Sequence, residues 1–243
     1  MQPTERFTSR VSDYVKYRPG YPIELVEELE RAGLQPGGVV ADIASGTGIS
    51  TEPFLRRGYA VIGIEPNDAM REAALRAGHD SRKGRAESTG LHTASVDLVF
   101  CAQAFHWLDH EMAAREFVRI VRPGGLIGIA WNLRQRSSSP FAEQLEALLC
   151  AFSEEYTLRV LKDQERAERA VERAFAPRAV NTWQHTHAQH FDWDGFLGRI
   201  HSASYAPKEN PEFNAALKEL FERHNSNGEV TILYDCRLYW LRA

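Results

Sequence analysis

The chain has little that would tie it to a membrane or to an oxidising compartment. No apolar run approaches the ~20 residues of a spanning helix, and the first residues are polar and mixed in charge, without the apolar core of a secretory leader. Cysteine is scarce. Cys101, Cys150 and Cys236 are scattered, odd in number and never spaced Cys-x-x-Cys. That spacing argues against a disulfide framework, so reduced thiols in the cytoplasm are the expected state. Neither sign of charge dominates: a net charge of −4 gives no general attraction to nucleic-acid phosphates or anionic lipid. Repeats and low-complexity tracts are missing, and Ser137-Ser138-Ser139 is only a short linker. With 43% hydrophobic and 26% charged residues over 243 positions, the composition suits one soluble α/β domain with added helices.

What is present begins with an apolar run, Val39 to Ala44, carrying Asp42 and leading into Gly46-Thr47-Gly48. A helix-like segment (51–57) follows, then a second apolar run, Val61 to Ile64, that ends in Glu65. This is a strand–turn–helix–strand unit in which backbone at the turn can approach a ligand and Glu65 can accept both hydroxyls of a ribose. The third glycine of a dinucleotide fingerprint is lacking: the frame from Gly46 puts Thr51 in that slot, and the frame from Ala44 puts Ile49 there. A carboxylate at Asp42 would repel a pyrophosphate, whereas it suits a ligand with cationic groups close to its nucleoside. S-adenosyl-L-methionine, with an ammonium and a sulfonium, fits this better than NAD.

On these residues the chain resembles the class I S-adenosylmethionine-dependent methyltransferases, whose motif is acid-x-Gly-x-Gly-x-Gly; Ala44 replaces the first glycine. Phe7, Tyr14 and Arg18-Pro19-Gly20-Tyr21-Pro22 further resemble a small-molecule subset that includes trans-aconitate methyltransferase-like proteins. The resemblance covers nearly the whole chain, with specific motifs only to about residue 132. It implies a doubly wound, mostly parallel seven-stranded sheet with a helical cover over the substrate site. Residues 1–243 then form a single domain: 1–132 the cofactor half, 133–229 the cover and sixth strand, 230–243 the last strand.

The periodicity predicts a helix near 22–33, with Ile23, Leu25, Val26 and Leu29 buried. It predicts a helix capped by Asp68, a weak strand over 82–86, strands at 96–101 and 126–131, and a helix bearing Ala113, Phe117, Ile120 and Val121. Further on it predicts helix over about 140–175, its charged part (163–173) solvated, and strands at 180–191 and 230–241.

Ligands of open α/β sheets sit beyond the carboxyl ends of strands. That rule selects Ala44, Ser45 and Gly46 for the methionine part and Glu65 for the ribose, followed by Pro66, Asn67 and Met70, with Met70 on the adenine face. By the resemblance, Ala86 and Glu87 meet the adenine amino group, Tyr14 and Arg18 fold over the cofactor with Arg18 on its carboxylate, and 201–205 line the substrate cavity. Gln103, Phe105, His106 and Trp107 form the expected transfer mouth: His106 as a base or as a structural histidine, Phe105 or Trp107 against the sulfonium. The expected acceptor is a small molecule with a carboxylate or hydroxyl, and Arg134, Arg136, Arg199 and Arg237 offer a carboxylate clamp. His185 and His187 share one strand face and His190 the other, without a completing acid or cysteine, so no metal is expected. The protein is expected to be a monomer or homodimer. Competing readings are a non-catalytic cofactor-binding module, an NAD-dependent reductase and a nucleic-acid methyltransferase.

Overall fold

The computed structural model describes residues 16–160 and 169–243. Tyr14, Phe7 and the first part of the charged stretch 163–173 lie outside them. Seven strands form one sheet: β1 (Val39–Ile43), β2 (Ala60–Ile64), β3 (Ser81–Arg82), β4 (Val96–Ala102), β5 (Val121–Arg134), β6 (Asn181–Phe191) and β7 (Val230–Arg242). Their spatial order is β3-β2-β1-β4-β5-β7-β6. The pairs from β3 through β5 are parallel, and β7 runs antiparallel to both β5 and β6. This is the Rossmann-like methyltransferase fold that the strand pattern foretells.

Chain order reverses between β1 and β4. From β1 the chain winds outward through β2 and β3, then returns to the other side of β1 as β4. Loops leaving the carboxyl ends of β1 and β4 therefore splay apart and leave a crevice. The central strands are apolar on both faces, as a covered parallel sheet requires: Val40, Ala41, Ile43, Leu98, Val99, Phe100 and Cys101 are buried.

Helices α1 (Ile23–Arg31), α2 (Glu52–Arg56), α3 (Asp68–Arg76) and α4 (His110–Ile120) flank this half. α1 buries Leu25, Val26 and Leu29, while Ile23 stays half-exposed near the helix start. Asn67, one residue earlier than expected, caps α3, its side chain accepting from the Met70 N–H; Asp68 is the first helical residue. Val121 leaves α4 to pair with Val96, so the fifth strand starts five residues early and bulges over Arg122 to Gly125. Helical residues over 169–175 bury Val171 and Phe175 against Phe105 and Phe117, so this end of the charged segment is amphipathic, not solvated all round.

A second packing centre belongs to the cover. α5 (Pro140–Phe152), α6 (Trp193–His201) and α7 (Pro211–His224) gather Phe141, Leu145, Phe196, Phe213 and Leu217 around Tyr234 of β7. Each aromatic buried there contributes about 1.5–3 kcal/mol. The 140–175 helix is not continuous: α5 ends at Phe152, and a π-helical turn occupies Tyr156–Val160. Among the described residues, no helix is long and apolar enough to cross a membrane.

Candidate functional site

The loop after β1 is built around two buried acids. Glu65, at the end of β2, takes the N–H of Gly46 at 2.9 Å on one oxygen and that of Asn67 at 2.7 Å on the other. Its carboxylate thus ties the loop after β1 to the turn after β2. Burial pushes the Glu65 pKa up, and these two N–H donors hold it back. Asp42 lies within β1, not in the turn, and its side chain is fully buried. One oxygen accepts the hydroxyls of Ser50 and Thr51, each at 2.7 Å. Burial lifts its pKa to about 6 against the pull of those hydroxyls, with Glu65 adding to the rise. Asp42 therefore stands behind the loop and fixes its far end, outside the residues that line the crevice.

Backbone strain marks the same place. Ala44 (φ 55°) and Gln103 (φ 56°) both sit in the left-handed region, at the ends of the adjacent strands β1 and β4. A residue with a Cβ costs about 1–2 kcal/mol in that conformation, so the first motif position imposes a glycine-like turn on an alanine. Gly46 follows at φ 58°, and nothing lies within 4 Å of where its Cβ would project. The loop therefore leaves open space in front of its backbone.

A crevice runs in front of this loop, lined by Ala44, Ser45 and Gly46, by Ala102 and Gln103, by Arg18 from before β1, and by Asn132 and Arg199 from further along the chain. Gln103 donates from its amide to the Asn132 carbonyl at 2.9 Å. The Asn132 side chain donates to the Gly20 carbonyl at 2.9 Å and accepts from His187 Nε2 at 3.0 Å. Burial, then His185, depresses the His187 pKa, and the amide oxygen of Asn132, which can only accept, makes Nε2 the protonated nitrogen. On the N-terminal side, Arg18 donates to the Ser202 carbonyl at 3.0 Å. The Tyr17 ring lies where a Cβ on Gly198 would stand, so α6 needs a glycine to admit it. The segment from Tyr17 to Gly20 thereby straps α6 to the end of β5.

The expected mouth divides. Phe105 is fully buried, stacked on His110 and Phe175, and belongs to the core rather than to a sulfonium cage. Trp107 is 40% exposed. The Trp131 indole N–H donates to His106 Nδ1 at 3.3 Å, which leaves the neutral ring's proton on Nε2. Met70 and Ala86 are buried, outside the residues that line the crevice, and Pro66 is half-buried next to Glu65. Glu87 accepts the Asp109 N–H at 3.1 Å and so also serves as a brace for α4. His201 is buried against Asn214, and Ser202 against the Arg199 carbonyl, within the cover. Asn132, Ser50 and Ile49 join the crevice without having been singled out as ligand contacts. The strand-end rule reaches Asn132, because β5 carries it beside Gln103.

Residues 41–129 match a family model described as a methyltransferase domain. That segment is similar to methyltransferase domains. An uncharacterized methyltransferase of Mycobacterium tuberculosis is 38% identical over 131 residues, covering 53% of this chain and 52% of that one. An uncharacterized methyltransferase-like protein of Schizosaccharomyces pombe is 30% identical over 149 residues, 59% of this chain and 57% of the other. The chain thus spans about half the length of the curated relatives it matches. The solved structure of a putative type II methyltransferase from Anaeromyxobacter dehalogenans superimposes with TM-score 0.70 at 21% identity, over 93% of this chain and 98% of that one, and so shares the fold.

The cofactor of such a domain is S-adenosyl-L-methionine, and the residues present fit it. Ser45 Oγ, Thr47 Oγ1 and Asp42 Oδ1 are buried around the loop without hydrogen-bond partners among the described residues. The space in front of Gly46 is open, and the Glu65 carboxylate, already pinned by two N–H groups, keeps lone pairs for a diol. Among the described residues no group of three His, Cys, Asp or Glu could hold a metal ion.

Proposed function

We propose that the whole chain is an S-adenosylmethionine-dependent methyltransferase acting on a small-molecule acceptor, with Glu65 on the ribose and Ala44, Ser45 and Gly46 beside the methionine part. The observation that carries this reading is the shared crevice: the loop after β1 and residues of the cover and the N-terminal strap line one space. A module that only binds the cofactor has no need of that second wall. When bound, the cofactor supplies an electrophilic methyl group, and the sulfur keeps the electron pair of the broken bond.

The chain's own residues align, shield and orient. Alignment of an acceptor against a fixed methyl is worth about 7–11 kcal/mol when the geometry is near attack. Gln103 and Asn132, locked to each other, offer a rigid wall, and the strap from Tyr17 to Gly20 excludes water from above. His106 acts in this reading as a donor that orients the acceptor. A nucleophile that must lose a proton would then need another route for it, so an acceptor oxygen already ionised, a carboxylate, suits this mouth better than a neutral hydroxyl.

The test is transfer of label from S-adenosyl-[methyl-³H]methionine to a panel of small acids, alcohols and amines. Labelled product from at least one of them is expected. Tight cofactor binding with no turnover on any would point instead to a binding module.

A further inference from the structure

We infer that Arg199 forms an anion subsite for the acceptor, which therefore carries a carboxylate. The inference rests on the methyltransferase reading above and deepens it.

Arg199 is only 7% exposed, on the face of α6 that also buries Phe196 and Ile200. A guanidinium taken that far from water normally faces a carboxylate. Here it does not. Among the described residues its side chain makes one hydrogen bond, from Nε to the Tyr234 hydroxyl at 2.8 Å, and lies 5.5 Å from the centre of that ring, with no ion pair. Tyr234 is itself fully buried and stacked at 5.5 Å on His187, which donates to Asn132. The cation is thus held by an aligned row of neutral groups, Tyr234, His187 and Asn132, that supply orientation and no countercharge.

The other arginines in the neighbourhood are accounted for differently. Arg134 pairs with Glu146 and the Tyr156 hydroxyl, and Arg136 lies 3.8 Å from the same carboxylate. Arg237 is not among the residues that line the crevice. Arg199 does line it, together with Gln103, Asn132 and the loop that faces the cofactor. With Nε committed to Tyr234, the free edge of the fork suits two oxygens of one planar group. A single positive charge without a partner matches a single negative one, hence a carboxylate rather than a phosphate dianion.

The experiment uses the full chain loaded with S-adenosylhomocysteine, whose binding is measured first by calorimetry. Malonate, tricarballylate and benzoate are then titrated, beside their neutral amides and inorganic phosphate. We expect at least one carboxylate to bind the loaded protein, its amide to bind at least tenfold more weakly, and Arg199→Met to lose at least tenfold in carboxylate affinity. S-adenosylhomocysteine affinity should change less than twofold in that variant. Tyr234→Phe, which keeps the packing and drops one hydrogen bond, should lose a smaller factor, about threefold. Failure of S-adenosylhomocysteine to bind the wild-type chain would remove the underlying methyltransferase reading. Normal cofactor binding would leave that reading intact while any of four results overturned the subsite: no carboxylate binding, equal binding by Arg199→Met, preference for phosphate, or a loss of S-adenosylhomocysteine affinity in Arg199→Met that assigns the arginine to the cofactor.

Discussion

The two ends of the sheet are organised by different rules. Between β3 and β5 the strands are parallel, and each proposed cofactor contact sits where a strand stops: Ala44 after β1, Glu65 after β2, Gln103 after β4. Beyond β5 the pairing turns antiparallel, and the cover reaches the crevice from a helix face, with Arg199 on α6 held by the buried Tyr234 of β7. The first arrangement fixes positions by topology and varies little with side-chain choice. The second fixes them by packing, so it is the end at which a fold of this kind can change its acceptor.

Perturbing each end should separate these rules, and the largest effect is expected in the cover. Phe196 is fully buried among the aromatics of α5 and α7. Phe196→Ala should cost about 3–5 kcal/mol in a denaturant melt. The unfolding should remain a single transition, because β7 carries Tyr234 and Ile232 of the cover cluster and pairs directly with β5. Two resolved transitions would make the cover a separate domain and break the comparison.

At the parallel end, Glu65→Ala removes the acceptor of two backbone N–H groups as well as the proposed ribose contact. S-adenosylhomocysteine affinity should fall at least tenfold by calorimetry, about 1.4 kcal/mol or more. Unchanged affinity would move the diol elsewhere.

Asp42 gives an effect of pH. Its folded pKa of about 6 lies above the ordinary 3.8, so the folded chain binds this proton more tightly than the unfolded chain does. The cofactor-free protein therefore loses stability as pH rises from about 4 to about 6, and the penalty persists above that. Asp42→Asn should stabilise the cofactor-free chain at pH 7.5 by about 2 kcal/mol, with the gain shrinking towards pH 5. A gain independent of pH would show that ionisation of Asp42 is not its origin. Smaller still, Ala44→Gly should raise stability by about 1 kcal/mol by relieving the left-handed alanine. A melt that shows destabilisation would mean that the methyl packs favourably where it is.

The sheet and the loop were readable because their signals are local. Apolar runs that stop at an acid, and glycines two apart, need no partner elsewhere in the chain to be recognised. Phe105 misled for a related reason: a strand-end aromatic next to His106 resembles a site residue. Only the helical stretch over 169–175, some seventy positions on, shows it to be core. The charged segment hid its two buried residues, Val171 and Phe175, among arginines and glutamates. Asp42 was readable as important, but its direction was not, since the hydroxyls that claim it belong to the next turn. Arg199 stood as one arginine among four until the fold gave two of the others an acid and left it without one.

The proposed function stands on the loop after β1, pinned by Glu65, as the seat of an adenosyl-sulfonium ligand. Calorimetry of the full chain with S-adenosylmethionine and S-adenosylhomocysteine, each against NAD, tests it most directly. One site per chain is expected for both adenosyl ligands, with no heat from NAD. Saturable NAD binding, or none by either adenosyl ligand, would contradict it.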